Sequence, residues 1–358
     1  MNPELVRHAA AKFVPFQAIS IEPLGNGLIH QTYKITFGSG HPSIVLQSIN
    51  RTVFKDPEAI LHNYNEVYQF LLRQEQVTKI PAPIKAGESG LLWTDPAGNC
   101  WRATAFIEHS YSPMTAPNEE SAHTVARSFA GFTASLSDLD TRRLKIIILG
   151  FHDLSLRYRQ FEESLEKASI ERLLKSTHVI AELRQRKFLV DFFEMIRDAE
   201  NYPVRVMHHD CKISNILFEE STDRVICPVD LDTVMPGKYF SDPGDMIRTM
   251  ACTVDENSSN WEEIQINPSF YRAILEGYLE GMHNFFSDQE HAHIHHSGLI
   301  MIYMQAIRFL SDFLNGDEYY KTSYPEQNLN RALNQLILLE KLEDFLFREY
   351  AVNAQTTK

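Results

Sequence analysis

Residues 207–220 read MHHDCKISNILFEE. Two histidines, an aspartate, a lysine and an asparagine stand directly before the apolar run Ile216-Leu217-Phe218, a polar crowd that a plain core strand would not carry. A second apolar run, VICPVDLDTVMPG at 225–237, follows with carboxylates of its own. Written as H-x-D-x-x-x-x-N, the first stretch supplies His208, Asp210 and Asn215. Phosphoryl transfer asks for such a set: a carboxylate that orients the acceptor hydroxyl and takes its proton, and oxygen ligands that hold Mg²⁺ against nucleotide phosphates. Asp230, at the end of the strand that this run predicts, is the further carboxylate such a site needs. The same residues would also serve a polar turn between two strands, with the aspartate capping backbone N–H groups.

Around this centre the periodicity changes along the chain. Residues 19–47 read as strands: ISIEPLG and TYKITFG flank the glycine-containing turn GNGLIHQ, and SIVLQSI follows a GSGHP turn. Asp56-Pro57 then marks a helix start, and Ile60, Leu61, Tyr64, Val67, Tyr68, Leu71 and Leu72 keep the spacing of one helical face. GLLWTDPAGNCWRATAFIEH at 90–109 reads as two more strands joined by a turn. The expectation is a small strand-rich N-terminal domain with one helix, residues 1–108, and a mostly helical domain over 109–358. Helical spacing runs through 119–137, 156–175, 176–200, 268–287, 298–315 and 327–349; the exception is 204–235, with its short β-type runs.

Composition narrows the partners. Hydrophobic residues make up 44% and charged residues 23%, the balance of an ordinary globular chain. A net charge of −13 disfavours a general attraction to nucleic acid or anionic lipid. No apolar run reaches membrane-spanning length, and the charged N-terminus does not read as a signal peptide. The four cysteines form no C-x-x-C pair, so the expected setting is reducing and cytoplasmic. EHAHIHHSG at 290–298 places His291, His295 and His296 at helical spacing, but no further ligand cluster follows; it reads as a solvated helix start.

Gly25, Asn26 and Gly27 form a G-x-G turn in GNGLIHQTYKI, where glycines let backbone N–H groups approach phosphate oxygens; an ordinary hairpin turn would look the same. Taken in order, GNGLIHQTY, FIEHS, HHDCKISN, VDLDTVMPG and SDPGDMIR resemble the aminoglycoside phosphotransferase and choline kinase superfamily. IVLQSINRTVFKDPEAI, FHDLSLRYRQFEESL and AIRFLSDFLNGDEYYKTSYPEQNLNRA are similar to segments of its N-acetylhexosamine 1-kinases. The resemblance covers about residues 19–345. It implies an α+β, two-lobed protein-kinase-like fold with a small antiparallel-sheet N-lobe, a larger helical C-lobe, and ATP and Mg²⁺ in the cleft. It implies Asp210 as base, His208 as the structural histidine of the loop, Asn215 and Asp230 as metal ligands, and Asp245 as the buried brace of the loop. Phe106, Ile107 and Glu108 would be the connector that meets the adenine. Arg308 and Tyr319 would hold the sugar, with a surface residue and a packing residue as the plainer alternatives, and His30 could reach phosphate or sugar.

Two positions depart from the pattern. The strand SIVLQSI carries Gln47 where protein kinases have a phosphate-binding lysine, which leaves Glu66 on the next helix without its usual ion-pair partner. Asp232 stands where the D-F-G motif has glycine. An aminoglycoside, a choline-like amine or another sugar is the alternative acceptor, and a nucleotide-binding pseudokinase the alternative prompted by Gln47.

Overall fold

The structure is a computed structural model that describes residues 2–25, 29–38, 40–74 and 79–354. The described chain divides into two compact units. The first holds residues 1–112, 135–149 and 215–236, so two later segments return to the N-terminal part. Its elements are α1 (Pro3–Phe13), β1 (Ala18–Pro23), β2 (Gln31–Phe37), β3 (Ile44–Ile49), α2 (Pro57–Leu72), β4 (Pro83–Ile84), β5 (Trp93–Thr94), β6 (Cys100–Ala105) and β7 (Ser110–Tyr111). After β8 (Arg205–Met207), which belongs to the other unit, the chain re-enters as β9 (Ile216–Glu219) and β10 (Val225–Pro228).

An antiparallel sheet runs β1-β2-β3-β6-β4, with β5 also paired to β6. Alternation sets its inner face: Ile35, Phe37, Ile44, Leu46, Trp101 and Ala103 are buried together. Against them lies α1, a helix beyond the single one expected here. Its Val6, Ala9, Ala10 and Phe13 fall on one face, Asn2 caps Glu4 N, and Pro3 opens the first turn. On α2, Asp56 accepts from Ala59 N at 3.0 Å. The returning segment brings Ile147 and Ile148 against Ile49, Phe54 and Ile60. A smaller antiparallel sheet, β10-β9-β7, completes the unit.

The second unit is mainly helical: α3 (Glu119–Ser135), α4 (Leu154–Lys167), α5 (Ile170–Gln185), α6 (Phe188–Asp198), α7 (Ser241–Met250), α8 (Pro268–Met282), α9 (Asp288–His293), α10 (His296–Leu314) and α11 (Gln327–Tyr350). Where two helices were expected over 156–200 there are three. Ser169 turns extended after α4 and its hydroxyl accepts from Arg172 N, starting a new helix; Arg186–Lys187 breaks the chain again before α6. α10 is apolar nearly all round and is buried by α4, α7 and α11. Gly244 allows α7 to approach α10 closely: a Cβ there would sit 2.3 Å from the Ser297 carbonyl oxygen.

The 290–298 segment is solvated at His291 and Ala292 and turns inward from Ile294. Glu290 is fully buried, closes a capping box with Ser287 and pairs with Arg205 at 2.8 Å; burial holds the His295 and His296 imidazoles at about 4. Among the described residues no three His, Cys, Asp or Glu side chains gather as a metal site, and no helix is long and apolar enough to cross a membrane.

Candidate active site

In the second unit, the loop after β8 is pinned by its backbone. Asp242, at the start of α7 and fully buried, accepts from His208 N at 3.1 Å and His209 N at 2.8 Å. One turn on, Asp245 accepts from Cys211 N at 2.9 Å and pairs with Arg248, which also reaches Glu256. Burial raises the Asp245 carboxyl, with Arg248 opposing and Asp210 adding to the rise. His208 is buried edge-on against Phe129 and Phe132 at 4.9 and 6.0 Å. Asp210 stays partly exposed between these fixed points, with Lys212 Nζ 3.0 Å from its carboxylate. The reading from resemblance gave the bracing to Asp245 alone; Asp242 shares it, and Lys212 adds an ammonium that the loop motif did not single out.

His209 takes a left-handed backbone, φ 67°, uncommon for a residue with a side chain. Its Nδ1 lies 2.6 Å from Ser241 Oγ, and His152 Nδ1 lies 2.6 Å from the same hydroxyl. Ser241 has one hydrogen, so one imidazole donates to it and the other accepts. Burial, then the charges of His209, Arg308 and Arg157, push the His152 imidazole well down and keep it neutral. Gly237 faces this pair: a Cβ there would sit 2.4 Å from His209 Cε1. Gly237→Ala is therefore expected to displace the His209 ring and lower turnover by about tenfold with the fold retained, measured as kcat beside a melting curve. Unchanged kcat would show that the ring's position does not reach Asp210.

From His152 the site extends outward. Phe151 stacks on His152 at 4.3 Å, and the Arg308 guanidinium lies 5.7 Å from both the Phe151 and the Tyr320 rings. Gln305 bonds to both Arg308 and Tyr320. Tyr319 is 62% exposed, with its ring edge-on to Tyr320 at 4.8 Å; Asp312 accepts from both tyrosine backbone N–H groups. Arg308 and Tyr319 thus meet at Tyr320, which sequence reading passed over. Arg157 joins the same wall through the Phe151 carbonyl at 3.2 Å. Its other bond, like that of Arg308, runs to a glutamine oxygen, and its Nε is buried without a partner among the described residues. Burial and Arg308 together push the Arg157 guanidinium down.

In the first unit, the β9–β10 hairpin aligns Asn215 and Asp230 at its open end. Ile216 pairs with Pro228, and Val229 N donates to Asn215 O at 2.8 Å. Asn215 is buried; Asp230 is exposed and left-handed at φ 59°. Two residues on, buried Asp232 binds the Arg102 guanidinium and lies 2.6 Å from His30 Nε2. Arg102 also donates to Gln47 Oε1 at 2.8 Å, and Gln47 Nε2 donates to Thr32 Oγ1 at 3.0 Å. Asn50 N donates to His30 Nδ1 at 3.0 Å, which fixes the Nε2–H tautomer facing Asp232.

Both ring nitrogens of His30 are engaged in this network, and its side chain is 7% exposed. Gln47 likewise turns both polar ends to neighbouring strands. Glu66 finds its partner in Arg143 at 2.5 Å. Gly25 has the left-handed φ of 72° that suits glycine, whereas Asn26 and Gly27 lie outside the described residues. After β6, Phe106 N donates to Ser43 O, Ile107 O accepts from Ser110 Oγ, and Lys34 sits 3.8 Å over the Phe106 ring. Glu108 is lowered by a Ser43 hydrogen bond, with nearby Lys34 adding to the effect.

Solved structures share this α+β architecture, which is that of the protein-kinase-like fold. An aminoglycoside phosphotransferase from Alicyclobacillus acidocaldarius is 15% identical, covers 97% of this chain and 95% of its own, and superposes with a TM-score of 0.64. A microcompartment-associated aminopropanol kinase is 16% identical over 97% of this chain and 98% of its own, TM-score 0.65. Spectinomycin phosphotransferase APH(9)-Ia, in complex with ADP and spectinomycin, is 12% identical over 96% and 99%, TM-score 0.60. The APH model, described as the phosphotransferase enzyme family, matches residues 20–285, and the chain belongs to that family.

Proposed function

We propose that the protein is an ATP- and Mg²⁺-dependent small-molecule kinase that phosphorylates the anomeric hydroxyl of an N-acetylhexosamine to the 1-phosphate. In this reading residues 1–108 are the core of a nucleotide-binding lobe, and 109–358 carry catalysis and acceptor binding. Asp210 orients the acceptor hydroxyl and takes its proton. Asn215 and Asp230 would hold Mg²⁺, which supplies charge neutralisation on the β- and γ-phosphates when bound. Gly25–Gly27 would approach the phosphates, and Phe106–Glu108 the adenine. Pinning of the loop at His208, His209 and Cys211 keeps Asp210 where it is needed, so catalysis rests on positioning.

One observation carries the choice of acceptor. Arg308, Arg157, Tyr319 and Tyr320 form a wall linked to the catalytic loop through Phe151, His152 and His209, and the two arginines bond to neutral oxygens rather than carboxylates. A cationic aminoglycoside or choline-like acceptor calls for acids or an aromatic cage free of competing cations. A neutral polyol with an acetamido carbonyl suits guanidinium donors beside aromatic rings. The full set Asp210, Asn215 and Asp230 argues against the pseudokinase reading.

Arg308→Ala or Tyr319→Ala should then raise the sugar KM about tenfold or more and leave the ATP KM within about twofold. Phosphorus-coupled NMR of the product after turnover on N-acetylglucosamine or N-acetylgalactosamine tests the regiochemistry. A 6-phosphate, or turnover of amines alone in a panel of free sugars and amines, sinks the hexosamine assignment and promotes the amine kinase.

A further inference from the structure

The two departures from the kinase pattern, Gln47 and Asp232, meet at one side chain. Arg102 on β6 stands directly across from Gln47 on β3, and Gln47 across from Thr32 on β2. Arg102 sends Nε to Gln47 and Nη1 to Asp232, two directions that a guanidinium fork can serve at once and an ammonium on a single stem cannot fix. Three strands therefore converge, through side chains only, on a carboxylate two residues beyond Asp230.

That turn needs holding. Asp230 sits in the left-handed region that side chains rarely adopt, and Asp232 is only 2% exposed, where a carboxylate without partners would be costly. Arg102 and His30 are the partners that the buried Asp232 carboxylate finds there. On the far side, Asn63 of α2 donates to Val234 O at 2.9 Å and is itself tied to the Lys145 backbone at 2.8 Å. The 232–234 segment is gripped at both ends by buried side chains.

We infer that Arg102 is a positioning residue: it replaces the absent strand lysine as the buried cation of the sheet, and its task is to hold the Asp230 turn rather than to touch phosphate. Its side chain is committed inward, with the guanidinium on Gln47 and Asp232. The consequence for metal and nucleotide rests on the kinase reading above; the consequence for the turn does not.

The test pairs Arg102→Met with Asp232→Asn, so that no charge is left buried alone. Hydrogen exchange of residues 229–236 in the free protein should quicken by about tenfold with the remaining sheet amides unchanged. Calorimetric titration with ATP should show the Mg²⁺-dependent gain in affinity falling about tenfold, while metal-free ATP binding stays within about twofold. If the double variant does not fold, Arg102→Lys, which keeps the charge and loses the fork, is put through the same exchange measurement with the same expectation. Unchanged exchange at 229–236 overturns the inference, as does an equal loss of metal-free and Mg²⁺-dependent ATP binding, which would make Arg102 a direct phosphate ligand. Wild-type protein that binds no Mg²⁺-ATP defeats the kinase reading instead, and the exchange measurement still decides the role of Arg102.

Discussion

Asp210→Asn is expected to lower kcat by about 10²–10⁴-fold, the contribution of a positioned general base, with nucleotide affinity within about twofold of wild type. The loop around Asp210 is fixed through backbone groups at His208, His209 and Cys211, none of which depends on the Asp210 side chain. Asparagine keeps the shape and removes only the basic oxygen. Its carboxylate is partly exposed, so the exchange leaves no buried charge behind and the melting temperature should hold. Lys212, at 3.0 Å, would keep an ammonium at the same place. Steady-state turnover, calorimetry with nucleotide and a melting curve on the same preparation separate these effects. Turnover within about tenfold of wild type would remove Asp210 from the mechanism.

What the sequence makes legible is whatever is local. The hairpins, the Asp56-Pro57 helix start and the H-x-D-x-x-x-x-N loop depend on spacings of a few residues, and they stand in the structure where those spacings put them. The first helix was equally legible in principle: Val6, Ala9, Ala10 and Phe13 hold one helical face behind an Asn-Pro start. The Ser169 cap is likewise a local signal, diluted by helical residues on both sides. Long-range partners are another matter. Asp242 meets His208 N across 34 positions, and Arg102 meets Asp232 across 130. Nothing near residue 102 marks that arginine; only the β3–β6 register sets it beside Gln47. The same holds for His30, whose partners Asn50 and Asp232 lie 20 and 202 positions away in the chain.

Asp242→Ala should cost about 2–5 kcal/mol of stability and depress turnover further than that loss alone explains. The carboxylate accepts from two backbone N–H groups in a fully buried setting, and removing it strands both donors, each worth about 1–3 kcal/mol when left unmade. One of those donors belongs to His209, whose left-handed backbone persists only because its surroundings over-determine it. With the acceptor gone, the residue can relax toward an ordinary conformation, and Asp210 follows directly in the chain. Asp245 retains Cys211 N and so holds the far side of the loop, which keeps the damage local. Urea unfolding gives the stability term. The kinetic term is read well below the unfolding midpoint, where the variant is still folded, as a fall in kcat of about tenfold or more with little change in nucleotide KM. A variant destabilised as expected but with wild-type kcat would mean that the loop keeps its catalytic geometry without this brace, and that Asp245 alone suffices for it.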